Sequence, residues 1–194
     1  MTAIVAEVVS PEAIAERVAE IAADIERDFA DREPVMLAVL GGAVPFLADL
    51  SRHLHPEIDI DFMSLTRFGI DGRVAIKMDS GTSIAGRDVI IVEDIVDTGL
   101  TLSFLINLLE TRDPASLAVA TLIDKTTRRI VDVPLAYRGF EVGDEFLLGY
   151  GLDWEGRYRN VPGLWAVLDL AAFQEDPDVL ARRVFRDPGD TVDA

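Results

Sequence analysis

Val89-Ile90-Ile91-Val92-Glu93-Asp94-Ile95-Val96-Asp97-Thr98-Gly99-Leu100-Thr101-Leu102 decides the fold. Val89 to Val92 is a β-branched run, the pattern of a parallel-sheet strand covered on both faces. Glu93 and Asp94 follow as a pair of carboxylates, expected at the strand's C-terminal end. Asp97, Thr98, Gly99 and Thr101 make a turn, after which Leu102, Leu105, Ile106, Leu108 and Leu109 recur at helical spacing. The order is strand, acidic tip, small-residue loop, helix. In open α/β sheets, ligands bind at the carboxyl ends of the strands. A loop entering a helix offers N–H donors and the positive end of the helix dipole, which suits a phosphate.

The loop residues fit that use. Gly99 permits positive φ and a close backbone approach. Thr98 and Thr101 add hydroxyl donors. Two carboxylates beside a phosphate loop would repel the phosphate unless they hold something else, such as sugar hydroxyls or a hydrated Mg²⁺. Loop and pair together point to a phosphorylated sugar, its phosphate on the loop and its ribose on the acids. The plainer alternative is a buried strand with a solvated acidic tip.

Working outward, Ser10-Pro11 is a helix start, a capping hydroxyl followed by proline at the first position. Ile14, Val18, Ile21, Ile25 and Phe29 then mark one apolar face. Val35 to Leu40 reads as a strand, Gly41-Gly42 as a turn, and Phe46, Leu47 and Leu50 open a helix ending near His53. Ile58, Ile60 and Phe62 alternate as a strand with Asp59 and Asp61 expected to face away. Phe68 to Gly72 reads as a loop, and Val74, Ile76 and Met78 as another strand. Strands are expected at Leu117 to Ile123 and Val133 to Tyr137, with short apolar runs at Phe146 to Gly149 and Leu164 to Leu168. From Pro177 the tail is charged, with a short helix at best. Strands alternating with helices predict an α/β fold with a mainly parallel twisted sheet flanked by helices.

Composition narrows the function classes. The 194 residues suit one domain with a full core. There is no cysteine, hence no disulfide or thiolate chemistry, and the cytoplasm is the expected location. No basic–apolar leader pattern and no apolar run of about 18 residues occurs, so no membrane partner is expected. A net charge of −17 argues against nucleic acid as a partner. The acids are 22 Asp and 13 Glu, and the only lysines are Lys77 and Lys125. High-salt adaptation and codon bias account for this equally well. Under the first, the melting temperature should rise between 0.1 and 1 M KCl as repulsion is screened, with sucrose as the non-ionic control. A flat or falling series leaves codon bias.

The central stretch resembles the phosphoribosyl-pyrophosphate (PRPP) motif of type I phosphoribosyltransferases, in wording closest to the hypoxanthine-guanine branch. Three further segments resemble that family in order. Leu40-Gly41-Gly42 looks like its pyrophosphate loop, where the bond matching Leu40–Gly41 is commonly cis; the family usually has Lys or Arg at Gly41. Lys125 matches its base-recognition lysine, which donates to O6 of a 6-oxopurine. Phe146-Leu147-Leu148-Gly149-Tyr150-Gly151-Leu152-Asp153, with Arg159, resembles its F-x-x-G-Y-x-L-D…R segment. Met63-Ser64-Leu65-Thr66-Arg67-Phe68-Gly69 sits where the family places a mobile lid, with Arg67-Phe68 in place of Ser-Tyr.

The resemblance implies one domain over 1–194. Its core sheet would cover roughly 35–140, the N-terminal segment and 141–175 would contribute a small hood, and 177–194 would be the charged tail. It implies that PRPP and a purine base become nucleotide and pyrophosphate in purine salvage. It assigns Asp97 as general base. Glu93, Asp94, Asp97, Thr98, Gly99, Leu100, Thr101, Leu40, Gly41, Gly42 and Arg159 would bind PRPP or nucleotide. Lys125, Phe146, Leu147 and Asp153 would bind the base, and Asp153, Glu93 and Asp94 would serve a Mg²⁺ cofactor. A homodimer or homotetramer is expected. Alternatives are a xanthine-preferring enzyme and a non-catalytic nucleotide-sensing regulator on the same fold.

Overall fold

The computed structural model describes residues 3–55, 57–68 and 73–185. In chain order the elements are β1 (Val5–Val9), α1 (Pro11–Asp28), β2 (Val35–Leu40), α2 (Ala43–Ser51), β3 (Asp59–Phe68), β4 (Arg73–Met78), β5 (Asp88–Val96) and α3 (Leu100–Glu110). There follow β6 (Ser116–Asp124), a single 3₁₀ turn (Thr126–Arg128), β7 (Tyr137–Glu141), β8 (Phe146–Leu148), β9 (Leu164–Val167), α4 (Leu170–Glu175) and α5 (Asp178–Val184). The chain divides into two compact parts: residues 15–144, and residues up to 14 with those from 145 onward. None of the helices is long and apolar enough to cross a membrane among the described residues.

In the larger part, β5 lies inside a six-stranded sheet ordered β4-β3-β2-β5-β6-β7. Every neighbouring pair is parallel except β3 with β4. Ile90, Ile91 and Val92 are fully buried, as a β-branched run covered on both faces requires. On one face Leu37, Met63 and Ile91 pack with Leu102, Leu105 and Leu109 of α3. Each such buried leucine contributes about 1.5–3 kcal/mol relative to exposure. The helix α2 packs on β2 and β5. The chain leaves β2 toward β3 on one side, and leaves β5 toward β6 on the other. The gap between the ends of β2 and β5 is therefore the point where strand order reverses, and there a ligand crevice opens.

The smaller part is a three-stranded antiparallel sheet, β1-β9-β8. Its core gathers Val5, Leu148, Tyr158, Trp165, Phe173 and Leu180. Phe173 takes the edge of Trp154, ring centroids 5.7 Å apart at 89°.

The helix start reads as expected: Ser10 Oγ accepts the Ala13 N–H at 3.3 Å. Ile14, Val18, Ile21, Ile25 and Phe29 are all buried. The acids stand near the C-terminal end of the central strand, as expected: β5 runs to Val96, with Glu93, Ile95 and Val96 in register with Thr121, Ile123 and Asp124 of β6. Two expectations need correction. The strand expected over Val133 to Tyr137 begins only at Tyr137, because Pro134 has no N–H to give a ladder. The face of β3 is reversed. Ile60 is 44% exposed and Met63 is buried, while Asp61 turns inward and accepts the N–H of Thr82 at 2.7 Å. A carboxylate so bonded tolerates partial burial. Met63 to Phe68, in the segment likened to a lid, are strand residues of β3, and Ser64 to Phe68 pair with β4. Of the loop expected over Phe68 to Gly72, residues 69–72 lie outside the described residues.

Candidate active site

A cavity of about 370 Å³ opens at the strand-order reversal. Its walls are Val39 from β2, Leu65 and Thr66 from β3, Val74 from β4, and the run from Glu93 to Thr101 and Leu102, Leu100 excepted. The two loops that sequence reasoning singled out meet here. A side chain at Gly42 would overlap the Asp94 carboxylate, so only glycine lets the β2 loop come so close to the β5 acids. Asp94 Oδ1 also accepts the N–H of Ile95 at 2.8 Å. The Leu40–Gly41 peptide is cis.

Gly99 caps α3 in the left-handed conformation, φ 82°. A Cβ there would run into the carbonyl oxygen of Val131 and sit 3.1 Å from Cδ of Arg129. The segment after β6 thus braces the loop from behind. Ile130 and Val131 donate their N–H groups to the Thr98 carbonyl at 2.9 and 3.1 Å. Ser103 N–H closes the first turn of α3 onto Gly99 O at 2.8 Å. The first-turn N–H groups of α3 open toward the loop, as an anion requires.

Glu93 is buried beside this cavity. Burial, and then the neighbouring Asp94, hold its carboxyl well above the usual carboxylate range. The folded state therefore binds a proton that the unfolded chain has released. Stability contributed by the neutral form is present at low pH and is lost as pH rises from about 4.5 toward the raised folded value. Glu93→Gln, always neutral, should stabilise the protein at pH 8 and do little at pH 4, at the cost of activity. Urea melts of both proteins across that range check this. A stability gap independent of pH would contradict it.

Asp97 stands at the loop's entrance. Its Oδ1 accepts the Nε–H of Arg128 at 2.6 Å. Lys125 directly follows β6 and is buried, an uncommon place for a lysine. Its own N–H is fixed to Val96 O at 3.0 Å. Asp124 beside it is buried and bridges Arg129 and Arg138.

The remaining expected residues belong to the smaller part. Phe146 is 39% exposed and meets the edge of Trp154 with centroids 5.4 Å apart at 86°. Leu147 is buried in β8. Asp153 takes Arg159 on Oδ1 at 2.8 Å and the Gly156 N–H on Oδ2 at 2.8 Å. Arg159 also donates to Gly151 O at 2.6 Å. Arg159 therefore closes its own loop.

Residues 5–155 match the family model for the phosphoribosyl transferase domain. The chain belongs to this family. A hypoxanthine-guanine phosphoribosyltransferase of Bacillus subtilis is 42% identical over 170 residues, 86% of this chain and 94% of that protein. A solved Bacillus anthracis hypoxanthine-guanine phosphoribosyltransferase, with HEPES in its active site, superposes with a TM-score of 0.82. The two are 42% identical, covering 84% of this chain and 98% of the other. A Staphylococcus aureus hypoxanthine phosphoribosyltransferase gives 0.82 at 34% identity, covering 87% and 93%. As a phosphoribosyltransferase fold, the chain sets its acidic pair, Asp97 and the Gly99 loop around one cavity. Sequence reasoning missed Arg128, the Val131 carbonyl behind Gly99, and Trp154 against Phe146. The first two are long-range contacts and the third joins side chains within one short segment, and none carries a local motif.

Proposed function

We propose that the protein is a hypoxanthine-guanine phosphoribosyltransferase that forms a purine nucleotide and pyrophosphate from PRPP and a 6-oxopurine. The observation that carries this is the convergence of Glu93, Asp94, Asp97 and the Gly99 loop on one cavity where the strand order reverses. The α3 N-terminus and the loop hydroxyls hold the 5′-phosphate. Glu93 and Asp94 take the ribose hydroxyls. The bond from C1′ to the pyrophosphate oxygen breaks with its electron pair leaving on pyrophosphate, while N9 of the base bonds to C1′. The N7 proton passes to Asp97 as general base. Lys125, buried at the end of the neighbouring strand, donates to O6 of the base. Most of the rate then comes from positioning and charge neutralisation.

Mg²⁺ suits the donor set. Among the described residues no three His, Cys, Asp or Glu side chains form a metal cage. None is needed, since Mg²⁺ keeps several waters and takes one or two carboxylates plus substrate oxygens. Asp94 on the cavity side is such a carboxylate, and Glu93 beside it becomes one on giving up its proton. Bound Mg²⁺ would neutralise charge on the departing pyrophosphate.

Xanthine is a second base to test, because a hypoxanthine-guanine-xanthine phosphoribosyltransferase is 39% identical with a TM-score of 0.79. The test is kcat/KM for hypoxanthine, guanine, xanthine and adenine with PRPP and Mg²⁺. Adenine should be poorest, since its 6-amino group is a donor and offers Lys125 no acceptor at that position. Lys125→Ala should lower the preference for 6-oxo over 6-amino purines by about tenfold or more, with a smaller change in KM for PRPP. A fall in PRPP affinity with unchanged base preference would refute that role for Lys125.

A further inference from the structure

The 3₁₀ turn Thr126–Arg128 is held at several points. Arg128 N–H returns to Lys125 O at 3.0 Å, and Thr126 Oγ1 meets Glu141 Oε1 at 2.6 Å. Arg129, next in the chain, pairs with the buried Asp124. Beyond it, Ile130 and Val131 are bonded to the Thr98 carbonyl in the phosphate loop. This short segment therefore starts at Lys125, which reads the base, and ends against the loop that holds the phosphate. Between them it projects Arg128, whose Nε–H donates to Asp97 Oδ1 at 2.6 Å. Both partners are close to half exposed, so the pair adds little to stability. Its geometry is specific all the same, a guanidinium on a braced turn fixing one carboxylate oxygen.

We propose that Arg128 is a positioning residue for Asp97: it fixes the carboxylate through Oδ1 and leaves Oδ2 to receive the N7 proton of the base. This rests on the reading of Asp97 as general base. A carboxylate so fixed samples fewer rotamers that miss the proton, and misplacement of a catalytic group by about 1 Å can cost up to 10²-fold. Because Arg128 and Lys125 share one turn, the proton acceptor and the O6 donor keep a set distance as the base enters. Arg128 acts through Asp97 and touches no substrate in this account.

The test is a double-mutant cycle. Arg128→Gln should lower kcat about tenfold, keep KM for PRPP within about twofold, and leave the melting temperature nearly unchanged. Arg128→Lys should restore part of the loss. In an Asp97→Asn background, Arg128→Gln should cause no further loss, since the residue it positions can no longer take the proton. Three results would overturn the proposal: unchanged kcat in Arg128→Gln, the same tenfold loss in the Asp97→Asn background, or a raised KM for PRPP with kcat intact. The last would make Arg128 a PRPP ligand. Failure of the underlying reading looks different: Asp97→Asn alone would keep full turnover, and the positioning role would fall with it.

Discussion

Asp97→Asn is expected to lower turnover by about 10²–10⁴-fold, the range for loss of a general base. Asparagine keeps the shape of aspartate, and its amide oxygen can still accept the Nε–H of Arg128. What it loses is the capacity to take a proton. The Arg128 pair is close to half exposed, so its weakening costs at most about 1 kcal/mol. The melting temperature and PRPP binding should therefore stay near those of the parent. Single-turnover kinetics alongside PRPP titration separate the two effects. A variant that turns over normally at neutral pH would remove Asp97 from the chemistry.

Gly99→Ala has the second largest expected effect, and on stability it has the largest. The residue sits at φ 82°, where an alanine is strained, and its Cβ would meet the Val131 carbonyl oxygen. Strain of this kind costs about 1–3 kcal/mol, and the overlap adds to it. For a chain of this length each kcal/mol lowers the melting temperature by about 2–4 °C. Gly86 is the control, with φ 69° but nothing within 4 Å of an added Cβ. Gly86→Ala should show the strain alone. Gly99→Ala should also raise KM for PRPP, because relief of the overlap moves the loop that holds the phosphate. Equal melting temperatures for the two variants would show that the Val131 brace carries no weight.

Much of this was legible in the chain because it is local. The run Val89 to Val92 can only be a buried strand, and Gly99 between Thr98 and Leu100 marks a helix entrance; both stand where expected. The parallel sheet followed from alternation of strand and helix. The face of β3 was misread because alternation alone cannot tell which polar residue finds a partner, and Asp61 finds Thr82 twenty-one residues on. β1 escaped notice since its pairing with β9 joins the two ends of the sequence. Arg128 was invisible for the same reason: its partner lies 31 residues away. The depth of Lys125 and the raised proton affinity of Glu93 come from burial, which a sequence pattern shows only indirectly.

The central claim is that the β5 acids and the Gly99 loop make one site that transfers a phosphoribosyl group to a purine. The direct measurement incubates the purified protein with PRPP, hypoxanthine and Mg²⁺ and separates the products chromatographically. The account predicts hypoxanthine nucleotide and pyrophosphate in one-to-one ratio, formed only when all three are present and reduced at least 10²-fold in Asp97→Asn. Tight PRPP binding without nucleotide formation from hypoxanthine, guanine or xanthine would contradict it and leave a nucleotide-sensing protein on the same fold.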